Sequence, residues 1–262
     1  MKIIAEIGSN WKNINDCLKS IRLAKQAGAD IVKFQFFSEL DLYGSGSSLR
    51  QFDEGELKEL KTECDKNNIE FMCTAFSPEG YLIVDKYVSI HKIASSEATS
   101  PDILDCVNSF KKPVIISTGG MSFSQIKVSV DRLKNVDNLT IMYCVGDYPA
   151  KIIDFCFMES IRNVFKSRHL GYSDHSIDVL VIPAIARDKG AVYLEKHANF
   201  CGYQDTDDAP HSLNYDEFRM MVENLNGWPI TYDPSNKNMK ETHQRRLITL
   251  SDGKEGYYRL KK

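Results

Sequence analysis

Short apolar runs alternate with longer segments of helical period along most of this chain. Eight of the runs read as strands: KIIAEI (2–7), DIVKFQF (30–36), IEFMCTAF (69–76), SIHKIAS (89–95), PVIIST (113–118), LTIMYC (139–144), HLGYS (169–173) and AVYLEKH (191–197). Most are rich in Val, Ile or aromatic residues and are bounded by Gly, Pro, Asn, Asp or Ser, as strands entering turns are. After the first run, Leu18, Ile21, Leu23 and Ala24 form one apolar face, Asn13 or Asn15 can cap the helix, and Gly28 ends it. Comparable segments lie near 53–67, 78–86, 100–110, 122–134, 154–166, 178–189 and 215–226. This alternation predicts a (β/α)8 TIM barrel of the α/β class. The rival doubly wound sheet often carries a Gly-rich turn after its first strand, whereas GSNWKN has a single glycine. The barrel is expected over residues 1–228. Beyond it the period fades, which predicts a tail over 229–262 packed on the barrel or reaching a partner.

Composition narrows the class without changing this picture. The chain has 262 residues, 42% hydrophobic and 26% charged, enough for one domain with a full core. A net charge of −3, with runs such as Arg245-Arg246 too short to change it, gives no footprint for nucleic acid. No apolar stretch approaches the ~18 residues of a membrane span. The apolar start of MKIIAEIGSN is too short for a signal peptide, so a cytoplasmic location is expected. The seven cysteines are scattered and form no CxxC pair, which reads as reduced thiols rather than a metal cluster.

Barrel chemistry gathers at the C-terminal ends of the strands. There this chain places Glu6, Lys33 and Gln35, Thr74, Lys92 with Ser95 and Glu97, Ser117 and Thr118, Tyr143 with Asp147 and Tyr148, Ser173 to His175, and Glu195 with His197. Strand alternation puts Lys33 and Gln35 on one face, with Phe34 packing outward. It also puts Glu195 and His197 together, with Lys196 turned away as a bystander. A lysine inside an apolar strand is costly unless an anion meets it. Two partners are open for Lys33 and Lys92: an internal carboxylate (Glu6 or Glu97), or a phosphate or carboxylate of a substrate. His175 and His197 end adjacent strands and can ligate one divalent metal, with Asp174 and Glu195 as groups that orient them, or each can be structural. No G-x-S-x-G elbow supports a serine nucleophile.

The blocks AEIGSN (5–10), GADIVKFQ (28–35), FMCTAFS (71–77), KIASSE (92–97), KPVIISTGG (112–120), YCVGDYP (143–149), GYSDHS (171–176), LEKH (194–197) and DDAPHSL (207–213) resemble, in order and spacing, the N-acetylneuraminate (sialic acid) synthase family. The resemblance covers roughly residues 3–220. It implies a (β/α)8 barrel that condenses phosphoenolpyruvate with an aldose, such as N-acetylmannosamine or a related amino sugar, to give a nonulosonic 2-keto acid and phosphate. It also implies a divalent metal: manganese, with magnesium or cobalt as alternatives. His175 and His197 would then bind the metal. Lys33, Lys92, Thr74, Ser95 and Ser173 would hold phosphoenolpyruvate, and Gln35, Glu97, Tyr148 and Asp208 the acceptor sugar. Glu6 would be the acid/base or water-positioning group, and Glu97 and Lys92 would share in catalysis.

Three departures stand out. Trp11 replaces a family histidine, and Gly146 stands where many members have Ser or Asn. The family's C-terminal antifreeze-like domain is not expected in this chain, which leaves a homodimer or a separate lid protein as the partner over the site. Two other readings of the same residues are a Schiff-base aldolase using Lys92 or Lys33, and a non-catalytic sugar-binding barrel.

Overall fold

A computed structural model describes residues 1–37, 51–136 and 138–227. Its strands are β1 (Lys2–Glu6), β2 (Ile31–Phe36), β3 (Glu70–Ala75), β4 (His91–Ile93), β5 (Val114–Ser117), β6 (Leu139–Cys144), β7 (His169–Asp174) and β8 (Tyr193–His197). All pair in parallel, and β8 returns to β1 to close the barrel. Between and after them, among the described residues, run α1 (Ile14–Gln26), α2 (Glu54–Lys66), α3 (Pro78–Val84), α4 (Pro101–Ser109), α5 (Phe123–Arg132), α6 (Phe155–Val164), α7 (Val181–Asp188) and α8 (Tyr215–Gly227). The expected (β/α)8 barrel is therefore the observed fold. The tail expected over 229–262 lies outside the described residues, and no helix among them is long and apolar enough to cross a membrane.

Local sequence explains where the helices begin. Of the two candidate caps, Asn13 starts α1: its side chain accepts from the backbone N–H groups of Asn15 and Asp16, and Asp16 reaches back to close a capping box. Asp53 with Glu56, and Ser122 with Gln125, do the same for α2 and α5. Strand alternation then sorts the side chains into two cores. Phe34, Val32, Phe71, Ile116, Ile141, Tyr172 and Leu194 face the helices in the larger one. Ile4, Ile31, Met72, Ile90, Ile115 and Met142 fill the barrel interior, with Tyr193 packed on them. This apolar plug closes the lower part of the barrel, so the polar residues nearer the strands' C-terminal ends become the floor of the upper part.

Tyr143 follows the same alternation. It points outward between Met142 and Cys144, packs in the helix-side core, and its hydroxyl accepts from the backbone N–H of Asp154. It takes no part in the mouth, where its place at a strand end had put it. Lys196 is also outward, as its neighbours require, but it is no bystander. It is fully buried, with its ammonium 2.7 Å from Asp174 Oδ2.

Candidate active site

A cavity of about 410 Å³ opens at the C-terminal ends of the strands. Its floor is a layer of alternating charge. Lys33 Nζ from β2 lies 2.6 Å from Glu6 Oε2 of β1 and 3.8 Å from Glu195 Oε2 of β8. Lys92 Nζ from β4 donates to Glu195 Oε1 at 3.1 Å, and the Ser173 hydroxyl of β7 donates to the same oxygen at 3.0 Å. Gln35 donates to Glu6 Oε1 at 2.8 Å. All four charged groups are buried, at 1–4% exposure, so each needs the opposite charge it has.

Lys33 thus takes the internal partner Glu6, while Lys92 takes Glu195 rather than Glu97. Beyond Ile93 the chain turns, with the Glu97 N–H donating to Ala94 O, and Glu97 is not among the side chains lining the cavity. Thr74 faces inward, 3.5 Å from Lys33 Nζ, but sits below the lining. Glu6, Lys33, Gln35, Lys92, Ser95, Tyr148, Ser173, His175, His197 and Asp208 do line it. The sequence reading gave Glu195 only an orienting role beside His197, yet it is the anion both lysines share.

The environment drives the two carboxyls apart. Burial raises Glu6 above the usual carboxyl range despite Lys33. Burial acts on Glu195 too, but Lys33 and Lys92 together outweigh it and hold that carboxyl below its usual range. The lysines also differ. For Lys33, Glu195 and Glu6 outweigh burial and raise it, whereas burial prevails at Lys92 and lowers it.

One corner of the cavity is rich in histidine. His175 Nδ1 lies 2.5 Å from the carbonyl oxygen of Val145. A carbonyl can only accept, so Nδ1 carries the proton and Nε2 presents a lone pair. That lone pair faces the Tyr148 hydroxyl at 3.2 Å, and the two rings stack 4.0 Å apart. The His197 ring lies 5.9 Å from that of His175 and 4.7 Å from that of His211. Burial lowers His175 to about 3 and His197 to about 4, so both are neutral near pH 7.

His197, Asp208 and His211 offer ligand atoms all within 4.8 Å of one another. Asp208 Oδ1 lies 3.2 Å from His211 Nε2 and 3.8 Å from His197 Nδ1, yet both nitrogens are buried without a hydrogen-bond partner. Burial works against ionising Asp208, but His197 and His211 prevail and hold it far below the carboxylate range. Two imidazoles with unsatisfied nitrogens around one carboxylate suit a divalent ion. His211 was missed in the sequence. It lies on the 3-10 turn Ala209–His211 after β8, three residues from Asp208, and that spacing in DDAPHSL was the available signal.

Backbone geometry admits Asp208 to this corner. Its Oδ2 accepts from the Ser9 N–H at 2.6 Å, and a Cβ on Gly8 would lie 2.1 Å from that same oxygen. Gly8 also has φ +53°, so both space and backbone ask for glycine. Trp11, by contrast, turns away from the cavity. Its indole donates to Gly8 O at 3.0 Å and stacks on Phe52 at 4.2 Å within the helix-side core.

Fold and site together define a class: a (β/α)8 barrel with an ion-paired lysine–carboxylate floor and a histidine–carboxylate corner able to take a divalent ion. Within that class, the chain belongs to the NeuB family, whose sequence profile matches residues 44–231. The N,N'-diacetyllegionaminic acid synthase of Campylobacter jejuni is 30% identical over 252 residues, covering 85% of this chain and 75% of that one. The pseudaminic acid synthase of the same species is also 30% identical, over 84% of this chain and 71% of that one. The crystal structure of the N-acetylneuraminic acid (sialic acid) synthetase from Leptospira borgpetersenii, in complex with citrate, superposes with a TM-score of 0.79 at 26% identity, covering 94% of this chain and 92% of that one. Family membership carries phosphoenolpyruvate-dependent carbon–carbon bond formation as the general chemistry.

Proposed function

We propose that this protein condenses phosphoenolpyruvate with an amino-sugar aldose, releasing phosphate and a sialic-type 2-keto acid, and that it does so in the cytoplasm with manganese as its metal. The observation that carries this reading is the junction of the Lys33–Glu6–Glu195–Lys92 floor with the histidine corner in one cavity. Relatives named for legionaminic and for pseudaminic acid are equally similar, so the acceptor is proposed only as a class.

His175 and His197 would hold the metal, with Asp208 and His211 beside them. When bound there, a divalent ion supplies Lewis acidity toward the aldehyde carbonyl. Carbon 3 of phosphoenolpyruvate attacks that carbonyl carbon and leaves cationic character at carbon 2. Water adds at carbon 2, and the tetrahedral intermediate collapses with loss of phosphate. Lys33 and Lys92 neutralise the phosphate and carboxylate of the substrate, with Ser95 and Ser173 as hydroxyl partners. Glu195, held ionised between the lysines, stabilises the developing positive charge. Glu6, raised by burial, takes the proton of the attacking water, as the divergence of the two carboxyls suggests. Gln35, Tyr148 and Asp208 face the acceptor.

The test is phosphate release from phosphoenolpyruvate with Mn²⁺ and a panel of N-acetylated hexoses. Release that depends on both metal and aldose is the expected result, and none with any aldose sinks the reading. Burial lowers Lys92, the direction a Schiff-base lysine needs, so borohydride trapping with pyruvate is the control for the aldolase alternative. No covalent adduct is expected.

A further inference from the structure

The Lys196 side chain lies on the helix side of the barrel wall, fully buried, and is not among the residues that line the cavity described above. Its three ammonium protons have three acceptors: Asp174 Oδ2 at 2.7 Å, the carbonyl of Ser176, and the carbonyl of Asp178 at 3.2 Å. Asp174 in turn accepts from the Ser176 N–H at 2.9 Å and from the Tyr172 hydroxyl at 3.4 Å.

These contacts bracket His175. The β7–β8 ladder ends at the Asp174–Lys196 pair, so His175 is the first residue beyond strand pairing. Its own backbone anchor is its carbonyl, which accepts from the Ala150 N–H at 2.9 Å. On the other strand, Lys196 immediately precedes His197. One side chain therefore ties the segment on both sides of His175 to the residue next to His197.

We infer that Lys196, acting through Asp174 and the Ser176 carbonyl, is a positioning residue that sets the separation of His175 and His197 and so the affinity of the site for a divalent ion. The inference rests on the metal reading above. The residue type follows from the contacts: one carboxylate and two carbonyls converge on a dry point, and an ammonium offers three donors in a compact group. Outer groups that orient ligands typically change metal affinity by about 10–100-fold when removed. The floor lysines are fixed separately, by Glu6 and Glu195, so anion binding is not expected to follow.

The experiment measures Mn²⁺ binding from the electron paramagnetic resonance of the free ion, and inorganic phosphate binding by calorimetry, on the full chain. Lys196→Met and Asp174→Asn are compared with the parent and with Asp85→Asn. The last weakens a partly buried network with His91 and Lys112 elsewhere in the barrel. The expected result is a Mn²⁺ dissociation constant raised about 10-fold or more in the first two variants, with phosphate affinity within about twofold of the parent. Asp85→Asn is expected to lower the melting temperature and keep the parent's Mn²⁺ affinity. Should Lys196→Met fail to fold, Asp174→Asn decides. A folded Asp174→Asn protein that binds Mn²⁺ as tightly as the parent overturns the inference alone. A parent that binds no Mn²⁺ overturns the metal reading, and the inference with it.

Discussion

Glu6 and Glu195 share one buried ion-pair layer, yet their surroundings push them in opposite directions. Glu6→Gln keeps the size of the side chain and an oxygen for the Gln35 contact while removing the titrating group. It is expected to lower kcat by about 100-fold or more, the usual scale for a general base, and to lower the melting temperature too, because buried Lys33 loses its nearest counter-charge; steady-state phosphate release well below the melting temperature checks the first. Gly146 gives a change in the other direction. A Cβ there would meet nothing within 4 Å, so Gly146→Ser fits without strain. If the hydroxyl reaches phosphoenolpyruvate, KM falls several-fold at unchanged kcat, the signature of added uniform binding. At this scale the sequence was legible wherever strand period decided orientation. Lys33, Gln35 and His197 all face the cavity because their alternation is fixed. His211 and the Lys92–Glu195 pair were not legible, because both depend on where loops and non-adjacent strands bring side chains.

Among the elements, the strands came out where the apolar runs lie, mostly shorter at their ends. The run 89–95 shrinks to β4, three residues long; beyond it the chain turns, and Glu97 is not among the side chains lining the cavity. The turn after β1 is the more demanding element. Gly8 is left-handed and almost touches Asp208, so Gly8→Ala must strain the backbone and displace the carboxylate from Ser9 N–H. The expected cost is more than ~1 kcal/mol of stability, together with weaker Mn²⁺ binding. Denaturant unfolding with and without metal separates the two effects. A melting curve and metal affinity equal to the parent's would contradict this account of the turn. No sequence period marks that approach, since the two residues are 200 positions apart and meet only when β8 closes on β1.

For the whole molecule, the buried histidines predict a pH response. Free histidine side chains take up protons near pH 6.5, whereas folding holds His197 down to about 4 and His175 to about 3. Between those values the unfolded chain binds more protons than the folded one, so metal-free stability falls as pH falls through this range. The urea midpoint is expected to be lower at pH 5.5 than at 7.5, and less so in a His175→Asn, His197→Gln double variant. Metal acts in the opposite sense. At about 100 times its dissociation constant it adds roughly 2.7 kcal/mol, so chelation should lower the melting temperature by roughly 5–10 °C. A melting temperature indifferent to chelator would count against the histidine corner as a metal site. The global architecture was the most legible level of all, because eight repeats of one pattern leave few ways to close a sheet.

The ion-paired floor has a consequence for selectivity. Each lysine already holds a carboxylate tethered to the barrel wall, at an effective concentration far above that of any dissolved monovalent salt. Chloride entering the cavity would trade a built-in counter-ion for a weaker one and strand a carboxylate in a dry place. A ligand carrying several charges on one frame can engage both lysines together and compensate for the rearrangement. Internal competition of this kind favours multivalent anions over monovalent ones at the floor.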